Sequence, residues 1–308
     1  MHLIKLQNGD KAYTTWSNLS EADVYSPGKW NRAILLLHGF PDTHNSYKEV
    51  WNVLLDGLGS GVLLLAPRMR GYEPSSQWEK DSNYQIKDLA EDVRAWVTAI
   101  NPDNRRPIHL IGHDWGALTA FRAGYDMPEL ISSMVTLAIP YVMNANGLEV
   151  IWNAPKQAYY STYMLTMQLS YFYQSKLTDK SSKYLDNLWR FWSPSWKYTQ
   201  QDMDDIRETL AQPNVVHNVT AYYRCLKYSN NLHFKVNFDK VPTLILGGEE
   251  DGCMHQNLFY LQQRKLQNKP NVKVQVLSKV GHFLHREDPK KVGELAVDWF
   301  NQYSENRT

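Results

Sequence analysis

Leu110-Ile111-Gly112-His113-Asp114-Trp115-Gly116-Ala117 places a carboxylate between two glycines, directly after the apolar run Ile108 to Ile111 and before an amphipathic stretch that begins at Leu118. This small-x-nucleophile-x-small spacing is that of a nucleophile elbow, a sharp strand-to-helix turn that thrusts one side chain outward. The glycines are what such a turn requires, because it leaves no room for Cβ atoms where it approaches its neighbours. The central residue redirects the chemistry. A carboxylate is already anionic at neutral pH and displaces a leaving group from saturated carbon without a general base, whereas its attack on an acyl carbon would give a labile anhydride. Asp114 is the candidate nucleophile; the competing reading is a chance turn with a helix-capping Asp.

Outward from this stretch, short apolar runs alternate with longer amphipathic ones. Ile34 to Leu37, Val62 to Leu65, Ile108 to Ile111 and Met134 to Ala138 predict strands, and the intervening segments predict helices. Between Tyr84 and Ile100, the residues Ile86, Leu89, Val93, Trp96 and Ile100 form one apolar helical stripe. The rhythm predicts a parallel sheet wrapped by helices. From Pro140 to about Phe234 strand runs disappear, aromatics such as Trp152, Tyr160, Tyr163, Trp189 and Trp192 become dense, and helical spacing dominates, as in an inserted lid. The βα pattern then resumes with Thr243 to Leu246 and Val272 to Leu277, and Val292, Leu295, Ala296 and Trp299 mark a last amphipathic helix.

Bulk properties narrow the function classes. A chain of 308 residues with 43% hydrophobic side chains can build a real interior. Its 33 basic and 32 acidic side chains nearly cancel, and no Lys/Arg run forms a phosphate-binding stripe, so nucleic acid is not an expected partner. No apolar run approaches the roughly 18 to 20 residues of a membrane span, and the N-terminus lacks the pattern of a signal peptide. The expectation is a soluble, unsecreted, cytoplasmic protein. Cys225 and Cys253 suit a reducing compartment and stand in no metal-ligand spacing.

Three further segments supply partners for Asp114. His38-Gly39-Phe40-Pro41 follows the strand Ile34 to Leu37, where backbone N–H groups face a nucleophile of this kind, so the amides of Phe40 and Trp115 are the candidate oxyanion hole. Gly281-His282-Phe283 follows the strand Val272 to Leu277 and offers His282 as the base, with His285 as the alternative. Gly247-Gly248-Glu249-Glu250-Asp251 follows the strand Thr243 to Leu246. Asp251 is chosen over Glu249 and Glu250, because its distance beyond the strand lets a loop carry it under the histidine. The chain order is then nucleophile, acid, histidine, as an α/β-hydrolase requires.

On His-Gly-Phe-Pro at 38 to 41, Gly-His-Asp-Trp-Gly-Ala at 112 to 117, the turn at 248 to 251 and Gly-His-Phe at 281 to 283, the chain resembles soluble epoxide hydrolases from about Ala33 to Trp299. One step further off, it is similar to haloalkane dehalogenases. The resemblance implies an α/β-hydrolase fold: a mostly parallel central sheet flanked by helices, in a core of residues 1–139 and 235–308, with a helical cap at 140–234. It also implies two lid tyrosines that hold the epoxide oxygen. Tyr163, five residues before Gln168, fits the first, and Tyr223 in Tyr222-Tyr223-Arg224 fits the second. A phenol stays protonated at neutral pH yet assists an alkoxide leaving group. The expected partners are a small apolar or aryl epoxide and water, with no metal or organic cofactor, in a monomer or homodimer.

Two departures from the family pattern bear on substrate range. Arg68 stands in Pro67-Arg68-Met69-Arg70-Gly71-Tyr72 where Asp is usual, and Gln168-Leu169-Ser170-Tyr171 lacks the usual Pro-Gly. The rival readings are a haloalkane dehalogenase and a non-catalytic ligand-binding protein on the same fold. Phe40, where many dehalogenases have Asn, argues against the first. The complete set Asp114, Asp251 and His282 argues against the second, since a binder has no use for all three at these positions.

Overall fold

In the computed structural model, which describes residues 1–179, 181–228 and 233–304, the apolar runs become the centre of one eight-stranded sheet. Its strands are β1 (His2–Asn8), β2 (Lys11–Ser17), β3 (Arg32–Leu37), β4 (Val62–Pro67), β5 (Ile108–His113), β6 (Ser133–Leu137), β7 (Thr243–Gly248) and β8 (Val272–Leu277). Their order across the sheet is β1-β2-β4-β3-β5-β6-β7-β8. Every pairing from β4 to β8 is parallel, and the two antiparallel pairings are those of β2 with β1 and with β4. The strands β4, β5, β6 and β7 are buried along their whole length, which is why they read as continuous apolar runs rather than as alternating ones.

Helices cover both faces. The helix Ile86–Ile100 starts at a capping box between Gln85 and Asp88, buries all five stripe residues and packs on the helix Trp115–Asp126. On the other face, Lys48–Leu58 packs on Pro289–Gln302. The sequence pattern predicts no strand before Ala33, yet β1 and β2 form an edge hairpin there. Only Ile4 and Leu6 of β1 point inward, while Leu3 is 67% exposed. Two buried apolar residues in a polar strand are too weak a period to read.

Between β6 and β7 the described residues hold seven α-helices and no strand: Gly147–Asn153, Gln157–Tyr160, Tyr163–Thr166, Ser170–Thr178, Tyr184–Trp192, Gln200–Leu210 and Val215–Arg224. The side chains of Ser170 and Tyr171, where the sequence departs from the family pattern, lie outside the described residues. So do residues 229–232, in which the expected cap approaches its return to the core. Tyr184–Trp192 buries Leu185, Leu188, Trp189 and Trp192 as one face. Trp189 and Trp196 lie 4.7 Å apart and both stack near Phe283 of the core. Charged clamps add direction: Arg286 and Lys48 both grip Asp202 of the lid at 2.6 Å, and Arg224, next to Tyr223, grips Asp81 at 2.7 Å. These helices are thereby tied to segments that follow the carboxyl ends of β3, β4 and β8, the end of the sheet where folds of this kind bind ligands.

Candidate active site

Asp114 sits between the end of β5 and the helix Trp115–Asp126, with φ 52° and ψ −117°. An L-residue at positive φ is held against its preference, and two close approaches hold it here. A Cβ on Gly112 would fall on the Gly116 carbonyl, and a Cβ on Gly116 would fall on the Leu37 carbonyl of β3. The turn therefore exists only with glycine at both flanks. Asp114 is buried at 4% exposure, and its Oδ1 accepts the Phe40 backbone N–H at 2.8 Å. Trp115 opens the helix, so its amide is among the first-turn N–H groups that have no carbonyl partner within the helix. The structure thus sets Phe40 on the carboxylate directly and Trp115 at the positive end of the helix behind it.

His282 Nδ1 lies 2.9 Å from Asp251 Oδ2, and its Nε2 lies 3.6 Å from Asp114 Oδ2. Asp251 Oδ1 accepts the backbone N–H groups of Cys253 and Met254 at 2.6 and 2.9 Å, which leaves Oδ2 to the histidine. Glu249 is exposed, and the carboxylate of Glu250 is taken by Ser195. The alternative histidine, His285, is turned away: its Nε2 meets Ser46 Oγ at 2.5 Å and its ring packs on Tyr47. The lid supplies the bracket. The carbonyl of Trp192, at the end of Tyr184–Trp192, accepts the N–H of Gly252 at 3.2 Å and of His282 at 3.0 Å, so one lid atom holds the acid loop and the base loop together.

Burial by itself disfavours a charged His282, but the carboxylates of Asp251 and Asp114 outweigh it and raise its pKa from an ordinary 6.5 to about 10. The folded state therefore favours the imidazolium. This contribution to stability is complete below about pH 6.5, where the unfolded chain is protonated too, and is lost as pH rises through about 10. Asp114→Asn, which removes one of the two charges, is expected to lower the His282 pKa. Ring-proton NMR titration of both proteins checks this, and an unchanged value would mean that Asp114 does not act on the histidine.

Asp114, Trp115, Tyr163 and Tyr223 line one cavity of about 200 Å³, closed otherwise mainly by apolar side chains such as Leu118, Ile139, Met164 and Leu258. Tyr223 is almost fully buried, and its ring meets Phe40 at 5.6 Å, Trp115 at 4.9 Å and Tyr163 at 5.8 Å. Burial above all pushes both phenols well above 10, helped next by the Asp114 charge at Tyr223 and by Cys253, Tyr223 and then Asp114 at Tyr163, so both remain O–H donors. The buried Tyr223 hydroxyl and His282 Nε2 have no hydrogen-bond partner within the protein. A phenol left open on a largely apolar cavity, with a carboxylate and an imidazole nitrogen beside it, is an arrangement that suits a polar ligand.

Several residues of this site carry no signal in the sequence. Trp192 reads there only as a lid aromatic, although its carbonyl brackets two loops and its ring meets His282 at 4.9 Å. His113 donates through Nε2 to the His282 carbonyl at 3.0 Å. Gln157 of the lid grips the loop after Asp251, donating to the Cys253 carbonyl at 2.9 Å and accepting the His255 N–H at 2.8 Å. Cys253 itself lines the cavity, with Sγ 3.5 Å from the Tyr163 hydroxyl. Arg68 is not among the residues that line it. Among the described residues, two groups bring potential metal-ligand atoms within 4.8 Å of one another: Asp42, His113 and His285, and Asp114, Cys253 and His282.

Comparison with known proteins agrees with this architecture. A family model described as the alpha/beta hydrolase fold matches residues 32–289. The AB hydrolase superfamily protein YfhM of Bacillus subtilis is 25% identical over 86% of this chain and 89% of its own length. Epoxide hydrolase 4 of Homo sapiens is 25% identical over 85% of this chain and 70% of its own length. Among solved structures, a laboratory-evolved variant of potato epoxide hydrolase superposes with a TM-score of 0.77 at 19% identity, over 98% of this chain and 99% of that one.

Proposed function

The chain belongs to the alpha/beta hydrolase fold family and is a hydrolase, and within that family we propose that it opens epoxides to vicinal diols through an ester on Asp114. One observation carries the reading: two phenols, Tyr163 and Tyr223, share a largely apolar cavity with a carboxylate set on an elbow. A nucleophilic carboxylate needs only an electrophilic carbon; the paired O–H donors select a substrate whose leaving group is an oxygen that stays attached. The named epoxide hydrolases among its relatives support the same choice.

The geometry divides the work between the carboxylate oxygens. Oδ1 is held by the Phe40 amide, so Oδ2 attacks the epoxide carbon. The C–O bond breaks towards the oxygen, which takes a proton from a lid tyrosine, and a hydroxyalkyl ester results. Esterification removes one of the two charges that keep His282 protonated. The surplus proton of the imidazolium then replaces the one the phenol gave up, and His282 becomes neutral at the moment a base is needed. Held by Asp251, it deprotonates a water through Nε2; hydroxide adds to the ester carbonyl, whose oxygen is Oδ1 facing the amides of Phe40 and Trp115. Collapse releases the diol, and carboxylate and imidazolium are restored without a net proton gained or lost. Every step uses side chains and backbone amides of this chain, so the reading calls for no metal or organic cofactor.

The test pairs diol formation from racemic styrene oxide with halide release from a short haloalkane. Diol without halide is expected. Tyr163→Phe and Tyr223→Phe are each expected to slow diol formation by roughly 10²-fold, and the double variant by more. Halide release without diol, or a double variant as active as the native protein, would sink the epoxide reading.

A further inference from the structure

The cavity is lined by a thiol, Cys253, that diol formation does not use and that sits beside two groups it does use. Asp114, Cys253 and His282 are all buried, and their donor atoms lie within 4.8 Å of one another. His282 is fully buried, and its Nε2, directed at this group, has no hydrogen-bond partner. We propose that these three side chains form a binding site for a soft divalent cation of the zinc group, held by the Asp114 carboxylate, the Cys253 thiolate and His282 Nε2, with the fourth position open to the cavity.

Three features of the site fit such an ion. His282 Nε2 and Asp114 Oδ2 are 3.6 Å apart, close to the edge of a tetrahedron whose bonds to N, O and S are about 2.0–2.3 Å. The outer shell of a metal-bound histidine is already present, since Asp251 takes Nδ1 at 2.9 Å and so leaves Nε2 to the side of Asp114 and Cys253. The same carboxylate accepts the Cys253 N–H at 2.6 Å, which fixes the thiol loop relative to the histidine. Donor type sets the selectivity: one thiolate and one imidazole favour zinc and cadmium, whereas magnesium and calcium call for an all-oxygen cage. Binding displaces the thiol proton and the imidazolium proton to solvent, and the ion's two positive charges replace them.

A cation seated there takes both the attacking oxygen and the basic nitrogen. Its consequence, that the hydrolase is reversibly silenced, rests on the epoxide reading above; the binding site does not. Cd2+ titration of the native protein is the direct test, because a bound thiolate gives a charge-transfer absorbance in the ultraviolet that needs no turnover. One equivalent is expected to saturate the band, Mg2+ and Ca2+ to produce none, and diol formation to fall with the same midpoint. Cys253→Ser and Cys253→Ala are expected to lose the band, His282→Gln to weaken binding by roughly tenfold or more while keeping a thiolate, and Cys225→Ser to behave as native. A band that survives both Cys253 substitutions, no saturable band in the native protein, or full diol formation at saturating Cd2+ would each overturn the proposal. A normal band in a protein that never forms diol would uphold the site and overturn the epoxide reading instead.

Discussion

Asp114→Ala is expected to abolish diol formation, a loss of about 10⁴-fold or more, while the protein stays folded. The expected size follows from the position of this residue in the scheme. The attacking atom and the acyl carbon of the intermediate both belong to Asp114, so its removal deletes the reaction path rather than weakening one interaction along it. No neighbour can substitute: Asp251 is turned under His282 with both oxygens occupied, and the Cys253 thiol is pushed well above its ordinary range by burial. Retention of the fold is expected because the elbow is held by glycine approaches and by backbone hydrogen bonds, such as Asp114 N–H to the Leu137 carbonyl at 3.2 Å, that alanine preserves. Steady-state assays with circular dichroism on the same samples check both halves. Appreciable diol formation by a folded Asp114→Ala variant would remove the carboxylate from the mechanism.

The elbow is legible because its constraint is written in residue type. Glycine at 112 and 116 is demanded by carbonyls of the neighbouring backbone, and no other residue type fits there. The central strands are legible for a related reason, since burial on both faces leaves an unbroken apolar run. What sequence could not show are contacts made by backbone atoms across the fold. The Trp192 carbonyl holds the loops of Asp251 and His282, yet any residue carries a carbonyl, and only the packing of Tyr184–Trp192 brings this one into place. Cys253 is silent in the sequence for the same reason: its spatial neighbours Asp114 and His282 are distant along the chain, and the fold alone places it beside them. The edge hairpin of β1 and β2 turns Thr15 and Ser17 inward beside Ile4, Leu6 and Tyr13, so its inward face does not read as an apolar period.

His282→Gln separates the two halves of the reaction and gives the second large effect. Ring opening uses Asp114 Oδ2 and the lid phenols, and Asp114 Oδ1 stays held by the Phe40 amide in the variant. Hydrolysis of the ester needs a base at the position of Nε2, and glutamine supplies none. One equivalent of epoxide is therefore expected to be consumed and to remain on Asp114, so that the intact protein gains the mass of one substrate molecule while turnover falls by about 10³-fold or more. The first step is expected to slow as well, because the imidazolium proton that restores the phenol is gone. Intact-protein mass spectrometry after mixing with epoxide, followed by peptide mapping, reads both the adduct and its site. An adduct on Asp114 would establish covalent catalysis directly. Loss of turnover with no adduct at any time would place His282 in the ring-opening step, and steady turnover without the histidine would assign water activation to another group of the cavity.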